Sequence, residues 1–336
     1  MTAYKRLTID DIARLAGVSR TTASMVLNGH AERYRISPAT VLRVETVARE
    51  NHFNPSQSAR SLRSKRSNSI GLVIPDLTNS AHASLAQAME NLCRERDYQL
   101  VLVTSDEDPQ REAEGMAHLV ARQVDGMAVV PCSSEAAAYQ QWTDRLPLVF
   151  VDRRIDGSGI PSVVTDATDT VARLIGSKLE QGVREVVYFG GQPTLSPSRD
   201  RLAGYRQALR QQGLAEQAGW VQERDFQRAS GFAMMQQWHA REGRYPQALF
   251  TASITLLEGV LSFMSQTHHL REAPSCLMTF DDHPLLDCLP IPIDAIVQES
   301  SQLAAACLQQ IFSLLDGGGV EVAELTIPAL ITSRQL

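Results

Sequence analysis

The feature that most constrains this chain is a series of short, continuously apolar segments separated by amphipathic ones, which begins at Ser69 and restarts near Val186. Ile70–Ile74, Leu100–Thr104, Met127–Val130 and Leu148–Val151 read as strands with no polar face. Residues 84–97 and 110–123 read as helices between them, with Leu85, Ala88, Met89, Leu92 and Cys93 on one side of the first. Strands apolar on both faces belong to parallel sheets covered by helices, so the pattern spells βαβ units. The second series has strands Val186–Phe189, Ala248–Thr251 and Cys276–Phe280, with helices 200–212 and 254–266. LPLVFVDRR (146–154) and SCLMTFDD (275–282) each end a strand in acid, a weak internal repeat. The expected fold is α/β, with a core of two similar doubly wound lobes and a ligand cleft beyond the carboxyl ends of the strands.

Ahead of this core lies a segment of different character. Residues 1–66 carry twelve Lys or Arg against five Asp or Glu, a balance of +7 that leaves −13 for the rest. A basic head on an acidic body implies an anionic partner for the head alone. Thr8 is placed to cap a helix through Ala16, with Ile9, Ile12, Ala13 and Ala16 on one face, and Gly17 supplies a turn. Ser19 then caps a second helix to Asn28, with Ala23, Val26 and Leu27 inward and Arg20, Thr21 and Ser24 outward. Two short helices joined by a glycine turn present the second to the major groove, where Arg bonds guanine and Thr meets a thymine methyl. Ser37-Pro38 opens a third helix whose Val41, Val44, Val47 and Ala48 complete a small core.

TIDDIARLAGVSRTTASMVLN (8–28) resembles the DNA-binding head of the lactose-repressor family, and FNPSQSARSLR (53–63) resembles that family's hinge. The resemblance implies a head over 1–53 that touches DNA through Thr8, Ser19, Arg20, Thr21, Thr22, Ser24 and Asn28. It also implies a hinge over 54–68 in which Leu62, flanked by Arg60 and Arg63, wedges into the minor groove. Met25 stands where many members carry a base-reading Arg, so the operator sequence is expected to differ. In the body the likeness is to the family's sugar-binding core, related in fold to periplasmic sugar-binding proteins. It places one lobe at 69–164 plus 297–323 and the other at 165–296 plus 324–336, with a last strand around Ile327–Ile331.

Strand ends carry what a sugar site needs: Asp76, Asp152, Arg153 and Asp281, with Arg199 in SPSRDRLAGY. Carboxylates accept bonds from vicinal hydroxyls, and Arg donates a planar fork to hydroxyls or phosphate. By the resemblance, Asp152, Arg199 and Asp281 match effector-contacting positions and Gln298 lies near the cleft. Ser253 stands where many relatives have Asn. GGQPTLSPSRDRLAGY, ALFTASITLLEGVLSFMSQ and TFDDH resemble the branch of the family that governs sucrose and fructose use. That branch implies a repressor released from a near-palindromic operator by fructose or fructose 1-phosphate. A regulator of other carbon-metabolism genes and a sugar-binding module without DNA are the alternatives. A homodimer is expected, with a tetramer built through the body left open.

Other classes find little support. There is no G-x-x-x-x-G-K-[ST] loop, no H-E-x-x-H, and GSG at 157–159 lacks the further Gly of a dinucleotide fingerprint. IDGSG (155–159) fails the G-x-S-x-G elbow at its first position. Asp281, Asp282 and His283 are adjacent at a strand end, where neighbouring side chains diverge rather than share a reaction centre. The five cysteines are scattered with no C-x-x-C, against a disulfide framework or zinc site. No catalytic residue, cofactor or metal is therefore expected. Met1–Asp10 has no apolar run after Lys5 and Arg6, and no stretch is long and apolar enough to span a bilayer. The expectation is a cytoplasmic protein without a membrane partner.

Overall fold

The structure, a computed structural model, describes residues 7–53, 66–266, 274–319 and 323–334. The chain divides into two compact units, Met1–Ser67 and Asn68–Leu336.

In the first unit, α1 (Ile9–Leu15), α2 (Arg20–Leu27) and α3 (Pro38–Glu50) surround a core of Ile12, Ala13, Ala16, Ala23, Val26, Val44 and Ala48. Each start is fixed by a side chain that satisfies an orphan backbone donor. Thr8 and Asp11 form a reciprocal capping box on α1. Ser19 Oγ accepts from the Thr22 N–H at 3.0 Å, and Ser37 Oγ from the Thr40 N–H at 3.3 Å. Gly17 turns the chain at φ 64, a conformation Gly adopts without a Cβ clash.

The second unit opens with β1 (Ser69–Ile74), α4 (Ser80–Glu95), β2 (Gln99–Thr104), α5 (Pro109–Ala121) and β3 (Gly126–Val129). Then come α6 (Ala137–Thr143), β4 (Leu148–Val151), β5 (Ser162–Thr165), α7 (Ala167–Glu180), β6 (Val186–Gly190) and α8 (Ser196–Gln211). β7 (Val221–Glu223), α9 (Arg228–Glu242), β8 (Ala248–Thr251), α10 (Ile254–Gln266) and β9 (Cys276–Phe280) follow. β10 (Ile293–Val297), α11 (Ser300–Leu315), β11 (Glu324–Ile327) and β12 (Leu330–Thr332) close the chain.

These strands form two sheets, in the orders β11-β5-β4-β3-β1-β2 and β12-β10-β9-β8-β6-β7. Strand for strand the orders are the same, so the repeat at the ends of β4 and β9 has a topological basis. All pairings are parallel except β12 against β10. In such a doubly wound order ligands sit beyond the carboxyl ends of the strands.

The chain passes between the lobes three times. After β5 it enters α7 in the second lobe; after β10 it returns as α11, whose Leu303, Cys307 and Ile311 pack with Ile70 and Met89 in the first. The third passage corrects an expectation. Residues 324–327 pair with β5 in the first sheet, Ile327 opposite Thr165, and the passage comes at 328–329 rather than near 324. The single strand expected around Ile327–Ile331 is two short strands, one in each sheet. Pro328 has no N–H and ends the first ladder.

α8 begins four residues before the expected 200, because Pro197 sets a helical φ within the first turn. This shift decides which arginine of SPSRDR reaches the cleft.

Candidate ligand cleft and nucleic-acid interface

Within the first unit, Arg20 and Thr21 on α2 are exposed, and Ser24 is half-buried. Arg20 Nε lies 3.5 Å from Asp10, a solvated pair that water competes with. Asn28 donates from Nδ2 to the Ser24 carbonyl at 2.7 Å and to Ser24 Oγ at 3.2 Å. Thr8 and Ser19 are occupied as caps, and Thr22 bonds Ser19 through its hydroxyl at 2.8 Å. Arg20, Thr21, Ser24 and Asn28 therefore make one polar face on a helix of eight residues. Arg60, Leu62 and Arg63 lie outside the described residues.

In the second unit a cleft open to solvent lies between the carboxyl ends of the two sheets. Asp76, Asp152, Arg153, Ser253, Asp281 and Gln298 all line it. Asp152 follows β4 and Asp281 follows β9, both in the left-handed region with φ of 66 and 71. A non-glycine residue is uncommon there, and its persistence at two equivalent strand ends marks a constrained site.

Asp281 is 5% exposed. Gln298 Nε2 donates to its Oδ1 at 2.7 Å, and Thr165 Oγ1 donates to Gln298 Oε1 at 2.7 Å. Thr165 ends β5 and Gln298 follows β10, so this chain of bonds ties the cleft carboxylate to two of the passages between lobes. Burial pushes the Asp281 carboxyl above the usual range, against the pull of Arg201 and Gln298. Asp76 behaves oppositely. His82 beside it, the Thr78 hydroxyl at 2.6 Å and the Asn79 N–H at 2.8 Å hold it below the usual carboxylate range despite partial burial. His82 is buried, and its Nδ1 stands 3.8 Å from Asp76 Oδ2, too far for a hydrogen bond.

Two guanidinium groups face the cleft. Arg153, 4% exposed, grips Glu107 at 2.5 and 2.8 Å and the Pro131 carbonyl at 3.1 Å. Arg201 is equally buried; its Nη1 donates to the Ala252 carbonyl at 2.5 Å and its plane lies 3.7 Å from the centre of the Phe280 ring. Nε of each has no hydrogen-bond partner within the described protein. A buried unpaired donor costs free energy, so each arginine carries an unmet hydrogen-bond demand beside the cleft.

Arg199 is not among the residues lining this cleft; it lines a neighbouring pocket that it shares with Arg153. Two residues apart on an α-helix point about 200° apart. With α8 starting at Ser196, Arg201 falls with Ser198, Leu202 and Tyr205 on the buried face while Arg199 turns away. Arg199 donates instead to the Thr194 carbonyl at 2.7 Å and to Asp156 at 2.9 Å. Beside it Arg154 reaches Asp200 at 2.5 and 3.0 Å, and its N–H donates to Ser196 Oγ at 2.9 Å. These pairs clasp the loop after β4 to the first turn of α8, one lobe to the other.

Several lining residues escaped the sequence reading, among them Arg201, His82 and Phe226. The signal for Arg201 was its position four before Tyr205 and three after Ser198. Ser253 lines the cleft but is 2% exposed and serves as a cap, accepting from the Leu256 N–H at 3.2 Å. Thr255 donates to the Phe226 carbonyl at 2.7 Å and so holds the aromatic wall.

A head with an exposed polar helix face, joined in one chain to a two-lobed body with a polar cleft, defines a ligand-responsive transcriptional regulator. Residues 8–56 match the family model for bacterial regulatory proteins of the lacI family, and residues 67–270 that for periplasmic binding proteins and the sugar-binding domain of the LacI family. The chain belongs to the LacI family. It is 45% identical over 330 residues to the sucrose operon repressor of Klebsiella pneumoniae, covering 98% of both chains. The Cra dual regulator of Pseudomonas putida, solved in complex with fructose 1-phosphate, superposes with a TM-score of 0.73 at 31% identity over 80% of this chain and 99% of that one. The lac repressor dimer bound to operator and an anti-inducer superposes with a TM-score of 0.83 over 98% of each chain at 21% identity, which shows the shared fold. The protein is thus a DNA-binding transcriptional regulator rather than an enzyme. No helix among the described residues is long and apolar enough to cross a membrane.

Proposed function

We propose that this chain represses a sucrose-utilisation operon from the cytoplasm and leaves its operator when fructose or fructose 1-phosphate fills the cleft. The observation that carries the reading is the lining itself: carboxylates Asp76, Asp152 and Asp281 to accept from hydroxyls, together with the guanidinium groups of Arg153 and Arg201. The Klebsiella pneumoniae relative supports the operon, and the fructose 1-phosphate in the Pseudomonas putida structure supports the ligand class. Ser253 and Gln298 act as supports, Ser253 capping α10 and Gln298 orienting Asp281. In this scheme Arg201 takes the role that the sequence reading gave to Arg199.

Two heads of a homodimer would set Arg20, Thr21 and Ser24 into successive major grooves of a near-palindromic site, while Leu62, between Arg60 and Arg63, wedges into the minor groove. Ligand binding would favour a lobe arrangement with lower DNA affinity, and by linkage DNA must weaken ligand binding by the same factor.

Fluorescence anisotropy of a labelled palindrome from upstream of the gene, titrated with protein at fixed salt, tests the scheme. Fructose, fructose 1-phosphate or sucrose is then added. Tight binding released by fructose or its phosphate is expected. Binding indifferent to all three sugars refutes the ligand class, and release by sucrose alone refutes the fructose assignment.

A further inference from the structure

The loop between α2 and α3 holds the one large aromatic side chain of the described head that stands half out of the structure, Tyr34 at 50% exposed. Arg33 lies over its ring at 5.9 Å, and Arg35 adopts a left-handed φ of 50. Neither arginine pairs with an acid among the described residues. The loop is nonetheless built. Ala31 and Ile36 pack against the head's core, and the Ile36 N–H donates to the Ala31 carbonyl at 2.9 Å, closing the base. Within it the Tyr34 N–H reaches the His30 carbonyl at 3.2 Å and the Arg35 N–H the Glu32 carbonyl at 3.0 Å. Residues 32–35 are thereby held as an exposed knuckle of one acid, two arginines and a tyrosine.

Its place in the head gives it a target. The eight residues of α2 rise about 12 Å, close to the roughly 12 Å width of the major groove. With the N-terminal end of such a helix at the base edges, the chain that leaves its C-terminal end meets the groove wall, which is phosphate. Asn28 ends α2 on the same face as Arg20, Thr21 and Ser24, and Gly29, at φ 72, turns the chain directly from that face into the knuckle.

We propose that Arg33, Tyr34 and Arg35 form a second nucleic-acid contact, which grips the phosphate backbone beside each half-site and reads no base. The inference rests on the head binding DNA through α2. Arginines at phosphates contribute affinity without sequence information, whereas a base-reading residue contributes selectivity. The tyrosine adds a hydroxyl donor and a rigid platform that holds Arg33 outward.

The test uses the full-length chain with Arg33→Gln, Arg35→Gln, both together, and Tyr34→Phe. Each is compared with the parent on the operator and on unrelated duplex DNA across a salt series. All three positions are exposed, and an unchanged thermal midpoint checks that the head stays folded. Removing one arginine–phosphate pair should flatten the plot of log affinity against log salt by about 0.9 per bound head. The double variant should therefore lose about 1.8 per head, with affinity falling by the same factor on operator and unrelated DNA. Arg20→Ala is the contrast, lowering operator affinity more than unrelated affinity. An unchanged salt slope in the double variant overturns the knuckle while leaving α2 as the reader. A loss confined to the operator overturns the phosphate assignment in favour of base contact. A parent that binds no DNA overturns both this inference and the reading it rests on.

Discussion

Asp152 and Asp281 follow strands that hold the same place in the two sheets, and both take a left-handed backbone, yet their surroundings differ. Asp281 is buried, bonded by Gln298, and its carboxyl is pushed upward; Asp152 is half-buried. The contrast extends along the lobes. The sixth residue of α4 is Leu85, buried in the first lobe's core, whereas the sixth of α8 is Arg201 over the Phe280 ring. Five residues before these helices stand Pro75 in one lobe and Gly191 in the other. The repeated topology supplies two like backbones, and the chemistry comes from which side chains the second lobe sets behind its strand ends.

Substitutions that remove what is particular to the second lobe should break this asymmetry. Arg201→Met deletes the buried fork and is expected to weaken effector binding by about 1.5–3 kcal/mol, on the order of 10- to 150-fold. Arg199→Met, whose side chain faces Asp156, should change it by less than about twofold, within the small range of solvated ion pairs. Calorimetry with fructose 1-phosphate compares the two, and the opposite ranking would return the role to Arg199.

Gly191→Ala comes next. A Cβ there would stand 2.2 Å from the Phe226 ring, so the ring must swing off the cleft wall. Overpacking of this kind costs about 1–3 kcal/mol. A lower thermal midpoint with several-fold weaker effector binding is expected; unchanged binding would show that Phe226 is no part of the ligand wall.

The carboxylates give a smaller effect with opposite signs. Asp281 has its folded pKa above the unfolded value, so the folded state holds the extra proton, and stability falls as pH rises through the window between them. Asp281→Asn should remove that loss and raise the thermal midpoint at pH 7, while weakening effector binding. Asp76 is depressed, so its contribution is present above pH ~4 and disappears as the pH drops below that. Asp76→Asn should lower the thermal midpoint at neutral pH and flatten its fall on the acid side. Matching pH profiles for the two variants would erase the distinction between these carboxylates.

How much of this was legible in the sequence follows physical lines. The head's three helices could be read because Thr8, Ser19 and Ser37 announce each start by the bond they make. Strands β4 and β9 could be read because unbroken apolar runs end in aspartate. Arg201 could not be told from Arg199 without the helix start, since a two-residue error turns the face by more than half a circle. β7, α9 and the Phe226 loop between them gave no signal. β7 is three half-buried residues, and the buried face of α9 includes Ser230 and Gly231. There α9 meets α10 backbone to backbone: a Cβ on Gly231 would stand 2.1 Å from the Leu256 carbonyl, and one on Gly259 2.1 Å from that of Arg228. Close packing made by absent side chains leaves no apolar stripe to see. Pro328 was visible, yet nothing local says that the residues on either side of it join different sheets.

Among the described residues the head has a core of its own, seven buried side chains from Ile12 to Ala48 with partly buried neighbours from Ile9 to Phe53. A reader that supports its own fold can be exchanged as a piece. Recombination could graft this head onto another family body and transfer its operator preference whole, so address and signal can be inherited separately and a lineage can rewire its regulon while keeping its sensor.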